Sequence, residues 1–148
     1  MKKIISLLLV GLLLIPVMMT ACSQGEETSQ DVEFKYYSAE KVKESIENDE
    51  EFDLVDIQVQ EEYDEHHIAG AIETNAYPVK EDTDKAKIDA IYSQLEGKEN
   101  PIVIVCPRGA GGAERTYKYL LEKGINEDRL FILEDGQAGW PYEDLLAK

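Results

Sequence analysis

The stretch Pro101-Ile-Val-Ile-Val-Cys106-Pro-Arg-Gly-Ala-Gly-Gly-Ala-Glu-Arg115 sets the fold class. Its first five residues form an apolar, β-branched run of the kind that makes a strand buried on both faces. From Ala113 to Lys123 the chain reads as a helix, closed by Gly124. Strand and helix are joined by a turn that begins at Cys106 and holds three glycines in the next six residues. In open parallel α/β sheets, ligands bind at this place, outside the carboxyl ends of the strands. Backbone N–H groups converge there, and the helix dipole favours an anion. A thiol set among them is favoured as its thiolate, the nucleophilic form.

Strands and helices alternate on both sides of this unit. Ser38 and Glu40 open a helix that runs to Ile46. Phe52–Ile57 alternates as a strand, Glu61–His67 is a short helical stretch ended near Gly70, and Ala71-Ile72 is a brief strand. Between Thr83 and Leu95, the residues Ile88, Ile91, Tyr92 and Leu95 share one helical face. Arg129–Leu133 reads as a further strand and Gly136–Pro141 as a turn. The expectation is an α/β domain: a central parallel sheet of about five strands with helices on both faces.

Residues 1–21 have the layout of a secretory signal peptide: Lys2-Lys3, an apolar run to Met19, then small residues. Met19-Thr-Ala-Cys22 is similar to a bacterial lipobox, in which the cysteine is lipidated and becomes the mature N-terminus. An ordinary signal peptide cleaved elsewhere and an uncleaved anchor are the alternatives. Two acyl chains on Cys22 would anchor the chain stably, where one would not. Residues 22–33 then read as a flexible polar tether and 34–148 as one domain, long enough to bury its own core. The expected location is the extracytoplasmic face of the cell membrane, reached through the N-terminal lipid.

Charge and cysteine usage narrow the chemistry. The formal net charge is −16. Without Lys2 and Lys3, 13 basic residues face 31 acidic ones, a net of −18. Such a surface argues against nucleic acid, whose binding requires phosphates to be neutralised. With Cys22 lipidated, Cys106 is the only free thiol, so no intramolecular disulfide forms. Its alternative reading is a small buried hydrophobe. His66 and His67 beside Glu62 and Asp64 do not make a metal site, because adjacent helical positions point about 100° apart. Trp140 reads as core, and Tyr36, Tyr37, Tyr63, Tyr77 and Tyr92 scatter without forming a stripe.

Four separated segments together resemble the rhodanese-homology (sulfurtransferase) family. Leu54-Val-Asp-Ile57 with Glu62-Tyr63 resembles its strand-and-acid motif, and His67-Ile-Ala-Gly-Ala-Ile72 its H-I-x-G-A-I signature. Val105-Cys-Pro-Arg-Gly109 stands where the family has its catalytic cysteine loop, and Leu133–Trp140 resembles its terminal G-x-x-x-W turn. The resemblance implies that Cys106 takes a sulfane sulfur from a donor such as thiosulfate and holds it as a persulfide. A thiophilic acceptor, cyanide or another thiol, then removes it; no cofactor or metal is implied. The loop residues Arg108, Gly109, Ala110, Gly111 and Gly112 would bind substrate, with the three glycines taking positive φ so that their amides crowd the outer sulfur. Arg108 is either an anion contact or a solvent-facing residue. Asp56 either orients the loop or caps its own strand, and His67 matches a structural histidine held by a backbone partner.

Three positions depart from the family pattern. Gly111-Gly112 stand where members often carry a late-loop arginine, Gln58 where many have arginine, and Pro107 removes one N–H from the loop. Gly112 also occupies the position at which a phosphatase of related fold needs its arginine, which removes phosphate hydrolysis from consideration. The remaining alternative to an enzyme is a sensing, carrier or protein-binding module that keeps the thiol without efficient turnover.

Overall fold

The protein is described by a computed structural model covering residues 31–148. The expected signal segment, the lipidation residue Cys22 and most of the tether lie outside the described residues.

Five strands form one sheet: β1 (Tyr36–Tyr37), β2 (Asp53–Asp56), β4 (Ile72–Glu73), β5 (Ile102–Val105) and β6 (Leu130–Leu133). Their order is β1-β6-β5-β2-β4, with every neighbouring pair parallel. A second, two-stranded sheet pairs β3 (His67–Ile68) antiparallel with β7 (Leu146–Ala147). The helices are α1 (Ala39–Glu47), α2 (Gln60–Glu65), α3 (Asp82–Leu95) and α4 (Gly111–Glu122).

The strand pleat divides the core in two. Val55, Ile102, Ile104, Leu130 and Ile132 face α3 and α4, meeting Ile88, Ile91, Leu95, Ala113, Tyr117 and Leu120. Leu54, Val103, Val105 and Leu133 face the other way, against Val42 of α1, Ile68 and Trp140. Both faces of β5 are therefore covered and all four of its residues are buried, as its unbroken β-branched run requires. Period-2 alternation then carries Cys106 to the α3/α4 side, where it joins that half of the core.

Local chemistry sets the helix ends. The Ser38 hydroxyl accepts from the Lys41 amide at 3.1 Å, capping α1. Asp84 reaches back to the amides of Lys80 and Glu81 at 3.0 and 3.2 Å to start α3. Gly124, at φ +98°, ends α4, with the Ile125 amide bonded back to the Leu120 carbonyl at 3.0 Å.

Two expectations need correction. The short helix expected to run to His67 ends at Glu65, with His66 extended and His67 already in β3, where it pairs with β7. α4 starts at Gly111 rather than Ala113, so Gly111 and Gly112 form its first turn and have helical rather than positive φ. Of the three loop glycines only Gly109, at φ +66°, uses the left-handed region. The absence of side chains at 111 and 112 serves close packing instead.

Candidate active site around Cys106

Cys106 lies at the carboxyl end of the central strand, 2% exposed. Its loop is closed from below by the turn that follows β6. The Cys106 carbonyl accepts from the Gln137 amide at 2.8 Å and the Pro107 carbonyl from the Ala138 amide at 3.0 Å. This turn passes through Asp135 and Gly136, both at φ +59°. A Cβ on Gly136 would run into the Cys106 carbonyl and the amides of Arg108 and Gly109. A Cβ on Gly109 would come within 2.6 and 2.7 Å of the amide nitrogens of Asp135 and Gly136. Two glycines thus allow two backbones to touch, and the contact fixes the start of the loop.

Above this base, the amides of Arg108, Gly109, Ala110, Gly111 and Gly112 donate to no acceptor among the described residues. Those of Gly111 and Gly112 are the free N–H groups of the α4 N-terminus, a place suited to an anion, while those of Arg108 and Gly109 lie close to Gly136. The Cys106 Sγ lies 4.0 Å from the Ala110 carbonyl oxygen, which also accepts from the amides of Ala113 and Glu114. The thiol proton has a weak acceptor there. Arg108 is exposed and forms no hydrogen bond or ion pair among the described residues. The side-chain amide of Gln137, 5% exposed beside the loop, likewise has neither a donor nor an acceptor partner among them.

Tyr77 and Arg115 shape the rim. The Tyr77 ring packs over Gly112, where a Cβ would lie 2.9 Å from two ring carbons and 3.2 Å from the Ile57 side chain. Tyr77 is held there because its amide donates to the Ile57 carbonyl at 2.8 Å, and the Ile57 amide to the Val105 carbonyl at 2.9 Å. Arg115 turns back over the loop. Its Nε donates to the Pro78 carbonyl at 2.9 Å, and its Nη1 lies 2.9 Å from the place of a Cβ on Gly111. Arginine thus approaches the loop from Arg115, while Arg108 points into solvent.

Asp56 and His67 form a separate constellation. By strand alternation the Asp56 side chain leaves β2 on the α1 side of the sheet, opposite Cys106. Its carboxylate accepts from the Gln58 amide at 2.8 Å and from Gln58 Nε2 at 3.1 Å. Gln58 therefore serves as the partner of Asp56. Burial pushes the Asp56 carboxyl up to about 6, against the opposing pull of the two Gln58 hydrogen bonds and nearby His67. His67 has the expected backbone partner, the Tyr63 carbonyl at 2.9 Å from Nδ1, and stacks on the Tyr63 ring at 3.8 Å. Neither residue is bonded to the cysteine loop.

A family model described as a rhodanese-like domain matches residues 38–142. The chain belongs to the rhodanese-like domain family. Among solved structures, this rhodanese-like domain is similar to one from an Anabaena sp. protein, at 20% identity and TM-score 0.57 over 73% of this chain and 74% of that one. It is also similar to a rhodanese-like domain protein from Staphylococcus aureus, at 22% identity and TM-score 0.57 over 76% and 96%. A thiosulfate sulfurtransferase from Pseudomonas aeruginosa matches at 20% identity and TM-score 0.55, over 72% of this chain and 18% of that one. At these identities the structural likeness establishes the fold. No curated protein matches the sequence significantly.

Proposed function

We propose that this domain is a sulfurtransferase that carries sulfane sulfur on Cys106. The observation that carries the reading is that the only free thiol of the described residues opens a loop whose amides, Arg108 through Gly112, have no acceptor among those residues. In the first half-reaction the Cys106 thiolate attacks the outer sulfur of a donor such as thiosulfate. The donor's S–S bond breaks, sulfite leaves with the bonding pair, and Cys106 holds the sulfur as a persulfide. The terminal sulfur carries the negative charge, which the free amides stabilise without water having to reorganise. In the second half-reaction a thiolate or cyanide attacks that outer sulfur and the Cys106 thiolate departs with the pair, restoring the starting state. Family membership and a thiosulfate sulfurtransferase among the similar structures support this assignment.

A second reading is favoured by one observation: Cys106 is 2% exposed and its sulfur lies under the loop. A module that binds a partner through the rim, with slow turnover, would have such a sheltered thiol. Intact-mass measurement after incubation with thiosulfate decides between them. Sulfur transfer requires a gain of one sulfur atom that is discharged by cyanide and is absent in Cys106→Ala. An unmodified wild-type mass with every sulfane donor leaves the binding module.

For placement in the cell, we propose export through the residue 1–21 signal and anchoring by lipid on Cys22, on the strength of the lipobox-like Met19-Thr-Ala-Cys22. Metabolic labelling with a fatty acid, lost in Cys22→Ser, tests it.

A further inference from the structure

The cations of this acidic domain are unevenly distributed. Each of Lys35, Lys41, Lys43, Lys98 and Lys123 is paired with a carboxylate at 2.7–3.1 Å. Lys80, Lys85, Arg115 and Lys118 have no carboxylate partner among the described residues, and these four line a single groove of about 200 Å³ with Val79, Tyr119 and Glu122. Glu122 is the one acidic residue of that lining. Lys87, Arg108, Arg129 and Lys148 are the other described cations without a carboxylate partner, and none of them lines this groove; in a chain with 31 acidic residues against 15 basic ones, four unpaired cations in one concavity favour an anionic occupant.

The groove adjoins the first turn of α4 through Arg115. It is built from the end of the Tyr77–Lys80 segment, α3 and α4, on the side of the sheet to which Cys106 projects. Arg115 belongs to both sites: it lines the groove, and its Nη1 rests against Gly111 in the first turn after the loop. Lys118 is seven residues farther along α4 than Gly111, a rise of about 10 Å. A molecule whose anionic groups occupy the lysine end can therefore reach the loop with a chain of about three extended residues. Lys85 lies 5.7 Å from the centre of the Tyr119 ring and Lys118 5.5 Å from that of Phe34, contacts that orient both ammonium groups without neutralising them.

We infer that this groove docks the sulfur acceptor, and that the acceptor is a thiol on an acidic peptide. The inference rests on the sulfurtransferase reading for its chemistry and on the groove alone for its binding. The carboxylates settle on Lys80, Lys85 and Lys118 while the thiol reaches Cys106 past Arg115. The acceptor thiolate, having released its proton to water, attacks the outer sulfur of the Cys106 persulfide; the acceptor leaves as a persulfide and Cys106 as a thiolate. A membrane surface is the less suitable occupant, because the cations lie in a concavity of about 200 Å³ that admits a peptide side chain and not a flat lipid face.

The test uses a synthetic peptide with three glutamates placed three residues from one cysteine, and its glutamine counterpart. Binding to the Cys106→Ala protein is measured by fluorescence anisotropy, so that it does not depend on sulfur transfer. The acidic peptide binds at least about tenfold more tightly than the neutral one, and the difference collapses at ~0.3 M salt. It also collapses in Lys80→Glu/Lys85→Glu/Lys118→Glu and, should that variant fold poorly, in the milder Lys80→Gln/Lys85→Gln/Lys118→Gln. In the persulfide-loaded wild type, the ratio of kcat/KM for acidic over neutral peptide falls by the same factor on these substitutions. Equal binding of the two peptides, or a preference that survives the lysine substitutions, overturns the inference. So does cosedimentation with phosphatidylserine vesicles under conditions where the acidic peptide does not bind. Selective peptide binding without any sulfur transfer would keep the docking groove and remove the sulfurtransferase reading.

Discussion

The ring of Tyr77 lies against Gly112, in the space that any side chain at position 112 would have to occupy. Phosphate chemistry on a related cysteine loop needs an arginine at this position, and here an aromatic ring has taken its room. Gly112→Arg should cost about 2–3 kcal/mol by overpacking. Gly112→Arg/Tyr77→Ala should recover part of that loss, with a coupling of about 1 kcal/mol or more in a double-mutant cycle. Urea denaturation of the four proteins measures it, and strictly additive effects would remove Tyr77 as the obstacle.

Gly136 touches the loop from the other side. At φ +59° and ψ −157° it occupies a backbone region essentially reserved for glycine, with the Cys106 carbonyl where a methyl group would go. Gly136→Ala is expected to destabilise by about 3 kcal/mol or more. It should also speed alkylation of Cys106 under native conditions, because the loop must lift from its base. A variant with wild-type melting temperature and alkylation rate would contradict the close approach.

The buried Asp56 makes a pH prediction whose sign differs from the usual carboxylate case. Its folded-state value of about 6 stands above the ordinary 3.8, so the native protein holds this proton more tightly than the unfolded chain does. The stabilisation is complete below the lower value and is lost as pH rises through about 6, for a total of about 2–3 kcal/mol. Asp56→Asn keeps an acceptor for the Gln58 amide and has no charge to desolvate. The difference in stability between variant and wild type should therefore grow in the variant's favour from pH 4 to pH 7. A difference independent of pH over that range would place the carboxylate in a well-solvated environment.

Tyr117 is fully buried between α4 and the sheet, and its hydroxyl has no hydrogen-bond partner among the described residues. Burial pushes its phenol up to about 12. Tyr117→Phe removes an unsatisfied polar atom and keeps the ring's edge contact with Phe34, 5.4 Å between centroids. The variant should be more stable by about 1 kcal/mol. A loss of stability would reveal a bound water on that oxygen.

Elements with their own periodicity were legible in the sequence. The β-branched run into Cys106, the Ile88-Ile91-Leu95 face of α3 and the Gly124 end of α4 each carry a local signal that the structure keeps. β1 and the β3–β7 pair were not legible, because two-residue strands are too short to show alternation and exist only through partners far along the chain. The start of α4 was misjudged because Gly111-Gly112 resembles a loop until Tyr77 is seen to need the missing side chains. Tyr77 gave no local sign of its place at the rim. The Asp135-Gly136 dipeptide did offer one, as a turn marker, although not that its turn would support the cysteine.

The hydrogen bond from the Gln137 amide to the Cys106 carbonyl also orders events in time. A polypeptide emerging N-terminus first exposes its thiol well before Gln137 follows, and β5 waits for β6 on one of its edges until then. During that interval Cys106 is an ordinary cysteine, open to any oxidant or stray disulfide it meets. The shelter around Cys106 is thus a late acquisition of the newborn chain, completed by the turn behind β6.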